Sequence, residues 1–321
     1  MTSTDSVTAT TSDKASRIKR AAVIGTGIMG PGMGAVLARC GIDVAMYDIK
    51  EEALQRAKAA AHLADGVLDR LDTPRVEGGS LHFTADLADA LRDADLVVEA
   101  IPEKIEMKHE IVKQIEEAVR SDTIIASNTS GIPITTIASA ARNPERVIGM
   151  HWSNPPHLIP MIEVIPGDET SQETIDTAVG LVKRVGYHPV VEREVPGFVE
   201  NRILYAIMRE ALDLVDRGII SPEGMDLNVR WGIGYKLAVI GPMELLDMAG
   251  LDTYQNVGSY RNPDLSKSSD VSTTIKERAA QGKLGMKTGS GLYDYTPEQI
   301  QELGAARARK LVAVRKALEN A

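Results

Sequence analysis

His151 and Glu163 are the residues whose types and spacing most readily do chemistry. They stand a dozen residues apart in VIGMHWSNPPHLIPMIEV (residues 147–164), on two short extended segments joined by a proline-rich bend. An imidazole with an ordinary pKa of about 6.5 accepts a proton near neutrality, and a carboxylate on its other ring nitrogen fixes the tautomer and stabilises the imidazolium. That is the arrangement of a general base and its orienter. Taken alone, the pair more readily fits an ordinary hydrogen-bonded histidine, so the elements that position it must decide.

Upstream, the pattern turns regular from Lys19. AAVIG is a short apolar run closed by Gly25. GTGIMGPGMGAVLARCG follows with helical spacing at Met29, Met33, Val36 and Leu37 until Gly41, and IDVAMYD reads as the next strand. In GTGIMG, Gly25 permits a tight turn, Gly27 lets the backbone approach a pyrophosphate and Gly30 allows close helix-to-strand packing. Ile28 and Met29 lie where the helix opens and its free N–H groups meet phosphates. Asp48 ends the second strand, placed to bond the adenine ribose hydroxyls. Strand, glycines, helix, strand and terminal acid together supply the context that a lone GxGxxG lacks. The expected ligand is NAD, because Asp48 stands where the extra phosphate of NADP would sit; Lys50 nearby is the one feature that would suit that phosphate.

The alternation continues. Residues 51–71 read as helix, LHF near residue 81 as strand, 87–91 as helix, DLVVEAI as strand, 104–119 as helix and TIIAS as strand. Strands separated by helices predict a parallel, doubly wound α/β sheet, with ligands beyond the carboxyl ends of the strands. Ala100, Ile101 and Glu103 follow one such end, and Ser127, Asn128, Thr129 and Ser130 another. Glu103 also suits a helix start, and the second group also suits a capped turn; four consecutive polar side chains at a strand end favour binding.

A change of class comes near Pro196. Before it, Thr170 to Glu173 reads as a capping box for a helix ending at Gly186, and HPVVEREV as a last strand. Beyond it the chain reads as helical. PGFVENRILYAIMREALDLVDRG is a long helix stopped by Gly218, Ser221 and Pro222 start another, and Thr296, Pro297 and Gln299 start the last. Within the long helix, Asn201 falls on the apolar face between Phe198 and Leu204, so its amide needs partners. It either caps a neighbouring backbone group or offers a donor that polarises a substrate oxygen.

Composition bounds the rest. The 321 residues suffice for two domains, and 43% apolar with 25% charged residues is an ordinary globular balance. A net charge of -9 argues against nucleic acid or a membrane surface as partner. The single cysteine, Cys40, forms no intrachain disulfide and fits a reducing, cytoplasmic compartment, where it reads as a small buried hydrophobe. The first sixteen residues are rich in Ser and Thr and read as a solvated tail; no run approaches the ~20 apolar residues that cross a bilayer. His62, His82, His109 and His188 are scattered without ligand-like spacing, so no metal is expected.

GTGIMG, VVEAIPEKIEMKHE, SNTSGIPIT, GMHWSNPP, MIEV, PGFVENRI and GKLGMKTGSGLYDY run in one order across almost the entire chain. Together they resemble the 3-hydroxyacyl-CoA dehydrogenase family. The resemblance implies a Rossmann-type NAD-binding domain over residues 17–195 and an all-helical substrate and dimerisation domain over 196–321, through which a homodimer would form. It implies that His151 is the catalytic base, Glu163 its partner, and Asn201 and Ser130 the residues that bond the reacting oxygen, with Asn154 shaping the site. Glu103, Lys108 and Lys287 match family positions near NAD. The implied reaction is hydride transfer between NAD and a 3-hydroxy acid or a 3-hydroxyacyl-CoA such as 3-hydroxybutyryl-CoA.

The chain departs from the acyl-CoA enzymes after the second strand, where those enzymes usually carry a longer, lysine-bearing helical hairpin that meets CoA. Here the region is EEALQRAKAAAHLADGVLDRLDTPRVEGG, with Lys58 its one lysine; Arg56, Arg70 and Arg75 remain as phosphate partners. SNPPHLIPMIEVIPGDET and WGIGYKLAVIGPMELLDMAG resemble the branch of the family that oxidises free small molecules, among them L-gulonate, L-carnitine and a formyl-hydroxy-methylpyridine carboxylate. The candidates for substrate selection are Trp152, His157, Trp231, Tyr235 and Lys236. The tryptophans also suit packing and His157 a surface loop; Lys236 suits a carboxylate. A non-catalytic, crystallin-like NAD-binding protein is the alternative of another class, disfavoured by base, orienter and oxygen ligands occurring together.

Overall fold

The structure, a computed structural model, describes residues 15–320. The described residues divide into two compact units, one running up to Asn201 and the other starting at Arg202.

The first unit is built on eight strands: β1 (Arg20–Ile24), β2 (Asp43–Tyr47), β3 (Leu81–Thr84), β4 (Leu96–Glu99), β5 (Ile124–Ser127), β6 (Val147–Trp152), β7 (Met161–Pro166) and β8 (His188–Val191), in the order β3-β2-β1-β4-β5-β6-β7-β8. β4, β5 and β6 are buried at every position, which is why they read as continuous apolar runs rather than alternating ones. Helices Gly30–Arg39, Glu51–Arg70 and Ile105–Ala118 make the crossovers. The chain runs outward from β1 to β3, then returns to place β4 on the other side of β1. Between the carboxyl ends of β1 and β4 the order therefore reverses, leaving the crevice in which such sheets bind ligands.

One pairing breaks the parallel expectation. β6 and β7 are antiparallel, while β7 and β8 are parallel again. The bend between β6 and β7 is too short for a crossover, so the chain turns back beside itself.

Local signals place most elements within a residue or two of expectation. Asp86 caps the short helix Leu87–Leu91 by accepting from the Ala88 and Asp89 amides. The box expected from Thr170 to Glu173 does not form: Ser171 caps Gln172–Arg184 through the Thr174 amide alone, and the Thr170 hydroxyl is spent on Val147 O and Gly167 N. The helix Ile134–Ala138, after Pro133, was not foreseen. Most of the proposed N-terminal tail lies outside the described residues. Its last part does not fit a solvated tail, since Ala15 is buried and its carbonyl accepts from Arg184. Cys40 is buried, and burial pushes its thiol pKa up, as suits an inert core residue.

The helix Val199–Asp216 begins in the first unit and runs into the second, which continues as helices Pro222–Asn228, Pro242–Ala249, Leu251–Arg261, Thr273–Ala280 and Pro297–Glu319. Ser221 caps the first of these through the Gly224 amide, and Thr296 with Gln299 forms the capping box at the last. The segment Val229–Gly234, with glycines at 232 and 234, winds as a π-helix that periodicity did not indicate. No helix among the described residues is long and apolar enough to cross a membrane.

Beneath the sheet's carboxyl edge lies a buried charge. Lys108 Nζ sits 2.8 and 3.0 Å from the two carboxylate oxygens of Glu99, which also accepts from Ser127 Oγ at 2.6 Å; both partners of the pair are 1% exposed. Removing one partner strands the other charge in the interior. Lys108→Met is expected to destabilise the protein by about 3–5 kcal/mol, read as a lowered urea midpoint. Glu99→Gln combined with Lys108→Met is expected to cost less than the sum of the single changes, and additive costs would show that the two side chains do not depend on each other.

Candidate active site

The antiparallel register sets the centre of the site. His151 on β6 stands directly opposite Glu163 on β7, and His151 Nδ1 lies 2.6 Å from Glu163 Oε2. Both side chains are buried. The other carboxylate oxygen, Oε1, accepts the backbone N–H of Glu200 at 2.7 Å, at the start of the helix Val199–Asp216. Burial works against the charge on Glu163, but the hydrogen bonds from His151 and the Glu200 amide outweigh it and hold the pKa below the usual carboxylate range. With Glu163 an anion, Nδ1 carries the proton and Nε2 is left as the acceptor for a substrate proton. The imidazole is flanked by Phe198, whose ring centroid is 5.7 Å away and whose backbone has a φ of 49° in the left-handed region.

Two further carboxyls surround this pair, and the sequence reading named neither. Glu192, just past β8, accepts the Val199 amide, and burial followed by repulsion from Glu163 raises its pKa. Glu200 accepts from Ser153 Oγ at 2.5 Å, and Ser153 is itself buried. Among the described residues, His151, Glu163 and Glu200 are the one group of three whose imidazole and carboxylate ligand atoms lie within 4.8 Å of one another. The available signal was positional: Glu200 directly precedes Asn201, and Ser153 lies between Trp152 and Asn154.

The remaining expected site residues fall into distinct places. Asn201 Nδ2 donates to the Ser130 carbonyl at 2.9 Å, tying the long helix to the loop after β5. That is the capping alternative for one of its N–H groups. Ser130 is exposed, and its amide donates to Glu103 Oε1 at 2.5 Å; Thr129 Oγ1 donates to the other oxygen of Glu103. Asn128 is buried, with Oδ1 accepting the Trp152 amide. Lys108, expected near NAD, is committed to the Glu99 pair inside the unit. Trp152, expected to select substrate, is instead a core residue, 1% exposed and packed edge-on against Tyr187. Alternation explains this, because in β6 both faces are covered and no outward position exists. His157 is mostly buried, and burial lowers its pKa. Asn154 is exposed and leads the cis peptide bond to Pro155.

The dinucleotide elements assemble at the crevice. Gly25 has a φ of 104°, and a Cβ there would lie 2.6 Å from Ala100 O; a Cβ on Gly30 would lie 2.3 Å from Gly25 O. A Cβ on Gly27 would meet nothing within 4 Å, so that backbone faces open space. Met29 makes no side-chain cap, so the first turn of Gly30–Arg39 keeps N–H groups for a ligand. Asp48 Oδ2 accepts from the Thr26 amide and hydroxyl, which fixes the carboxylate at the end of β2. The crevice is a cavity of about 1040 Å³ that takes in Gly25, Gly27, Ile28, Asp48, Lys50 and Ala100. An acceptor carboxylate at the strand end, bare backbone at the turn and free N–H donors at an uncapped helix are the set that a dinucleotide requires.

In the second unit, Lys236 and Lys287 are exposed, and Trp231 packs on Tyr235 with ring centroids 6.2 Å apart.

Comparison with known proteins agrees with this geometry. Residues 20–195 match the model of the 3-hydroxyacyl-CoA dehydrogenase NAD binding domain, and residues 197–295 that of the 3-hydroxyacyl-CoA dehydrogenase C-terminal domain. The chain is 52% identical over 306 residues to the 5-formyl-3-hydroxy-2-methylpyridine 4-carboxylate 5-dehydrogenase of Mesorhizobium japonicum, covering 94% of this chain and 99% of that one. It is 38% identical over 278 residues to a probable 3-hydroxybutyryl-CoA dehydrogenase of Deinococcus radiodurans, covering 85% and 99%. A crystal structure of a 5-formyl-3-hydroxy-2-methylpyridine 4-carboxylic acid 5-dehydrogenase, described as an NAD+ dependent dismutase, superposes with a TM-score of 0.92 at 52% identity over 94% of this chain and 99% of that one. The chain belongs to the 3-hydroxyacyl-CoA dehydrogenase family and is an NAD-dependent oxidoreductase.

Proposed function

We propose that this dehydrogenase acts on a free ring aldehyde bearing a carboxylate, of the 5-formyl-3-hydroxy-2-methylpyridine 4-carboxylate kind, rather than on a CoA ester. The observation that carries the reading is the likeness to the dehydrogenase of that aldehyde over nearly the whole of both chains. The region after β2 supports it. It holds the single helix Glu51–Arg70 before the chain enters β3, and of its cations Arg75 is committed to Asp65 at 2.7 Å, while Arg56 lines the dinucleotide crevice. Oxidation of 3-hydroxybutyryl-CoA is the second reading, favoured by the likeness to the Deinococcus radiodurans protein.

In this reading NAD, when bound at the crevice, supplies the hydride acceptor. His151 Nε2 takes the hydroxyl proton of the alcohol or aldehyde hydrate, and Glu163 stabilises the imidazolium that results. Asn201 keeps one amide N–H beyond its bond to Ser130 O, and that donor with the Ser130 hydroxyl holds the reacting oxygen. Gly25, Gly27, Ile28, Met29, Gly30, Asp48, Ala100, Glu103 and Asn128 form the cofactor side, and Lys287 is retained there as a family position. Lys236 is the cation proposed for the substrate carboxylate. Acting as a dismutase, the enzyme would oxidise one aldehyde and reduce another.

The second unit supports a homodimer. Tyr205, Trp231, Tyr235, Val239, Met243 and Met248 are each between 65% and 75% exposed, and the helix Val199–Asp216 buries no residue. So much apolar surface marks an interaction face, and a second copy of this chain is the proposed occupant. A dimer with a reduced Cys40 fits a soluble cytoplasmic enzyme.

Three measurements follow. His151→Ala is expected to lower turnover about 10²–10⁴-fold while NADH binding, followed by fluorescence, stays near wild type; a near-normal kcat would remove His151 from the base role. Initial rates are expected to favour the formylpyridine carboxylate over L-gulonate, L-carnitine, 3-hydroxybutyrate and 3-hydroxybutyryl-CoA, with Lys236→Met raising KM for the carboxylates. A preference for the CoA ester would establish the second reading. Sedimentation is expected to give the mass of two 34.6 kDa chains, and a single-chain mass would refute the dimer.

A further inference from the structure

The oxidation of an aldehyde asks more of a site than the oxidation of an alcohol. An alcohol releases one proton as its hydride leaves, and one base suffices. An aldehyde must first add water: R–CHO + H2O + NAD+ → R–COO− + NADH + 2 H+. The reduction half of a dismutation, R–CHO + NADH + H+ → R–CH2OH + NAD+, needs no water and takes one proton from one acid. His151 and Glu163 provide for one proton in either direction. A second base is needed for the water.

The structure holds a group of that kind beside the pair. Glu200 is the second residue of the helix Val199–Asp216, and its backbone N–H is the donor to Glu163 Oε1. An acid in a first turn is ordinarily explained by the helix dipole, but that effect asks for no particular orientation of the carboxylate. Here the orientation is specified: Oε2 accepts from the hydroxyl of buried Ser153 at 2.5 Å. The side chain is half-buried, so Oε1 keeps capacity for water. Ligand atoms of Glu200, Glu163 and His151 lie within 4.8 Å of one another, a separation within the span of one bridging water at ordinary hydrogen-bond lengths.

We propose that Glu200, aimed by Ser153, is the general base that adds water to the bound aldehyde. The inference rests on the aldehyde reading given above. As the water oxygen bonds to the carbonyl carbon, a water proton passes to the Glu200 carboxylate. The π pair moves onto the carbonyl oxygen, which takes the Nε2 proton of His151 in its imidazolium form, reached when the imidazole takes up one proton from solvent or from a preceding oxidation. The product is the neutral diol, with His151 again a free base able to accept the diol hydroxyl proton in the oxidation that follows. Glu200 returns its proton to solvent, and the carboxylic acid product releases the second.

The test separates hydration from hydride transfer. The formylpyridine carboxylate is incubated with the enzyme in H2 18O without NAD, and label entering the aldehyde oxygen is followed by mass spectrometry above the buffer rate. NAD-linked oxidation and NADH-linked reduction of the same aldehyde are measured in parallel. Glu200→Gln keeps the backbone bond to Glu163 and is expected to lower oxygen exchange about 10²-fold. The ratio of oxidation to reduction should fall at least 10-fold with it. Ser153→Ala is expected to give a smaller loss of the same kind, and Glu200→Asp a partial return. Unchanged exchange in Glu200→Gln, or oxidation and reduction falling together, overturns the proposal. If the wild-type enzyme turns over the CoA ester and not the aldehyde, the substrate reading fails first and the hydration role falls with it, an outcome distinct from a loss confined to the variant.

Discussion

The hydrogen bond between His151 and Glu163 is the interaction on which the site's architecture depends. A carboxylate buried beside an imidazole is expensive unless its oxygens are satisfied, and both oxygens of Glu163 are: one by the His151 ring, the other by the Glu200 amide. The second bond has consequences. It anchors the first turn of the helix Val199–Asp216 to the sheet, which sets Asn201 over the Ser130 carbonyl and Phe198 beside the imidazole. One buried charge thus aligns a strand pair, a helix terminus and a loop. Phe198 in the left-handed region is the strained residue at this junction, held there by the packing around it.

The antiparallel pairing of β6 with β7 makes the bond possible. In a parallel crossover, residues a dozen apart would lie at opposite ends of a helix connection. In a reversed pair they stand face to face, and a slip of one residue would turn Glu163 to the other side of the sheet. The same register brings the end of β8 alongside, so Glu192 enters beneath Glu163. Carboxyls accumulate around a single imidazole because the middle of β7, the chain just past β8 and the start of the helix Val199–Asp216 meet there. The dinucleotide crevice lies instead where the strand order reverses between β1 and β4. The two halves of the chemistry come from different features of one sheet.

Much of this was legible in the residues. The apolar runs of β1, β4 and β5, the GTGIMG turn, Asp48 and the caps at Ser221 and Thr296 are local signals, readable because each rests on the backbone geometry or periodicity of a few neighbouring residues. His151 and Glu163 were singled out as a pair by type and spacing, and the structure bonds them; order along the chain pointed to the family before any contact was known. Less local features were harder. Lys108 was expected near NAD through the resemblance and is bonded to Glu99, because no periodicity shows which helical lysine meets a strand-end carboxylate. Trp152 was a candidate for substrate selection with packing as its alternative, and burial decides for packing.

The sequence by itself determined the class of fold and the dinucleotide turn, and it singled out His151 and Glu163 as candidates, since these depend on residue type, spacing and short-range conformation. Only the tertiary structure decided which nitrogen of His151 bonds Glu163, which amide completes Glu163 and which carboxylates join them. Those outcomes depend on distances between segments far apart in the chain. Glu200 shows the difference most directly: in sequence it is an acid in the first turn of a helix, and in space it is a carboxylate bonded by Ser153 beside the His151 imidazole, because strand register and helix packing bring residues 151, 153, 163 and 200 to one point.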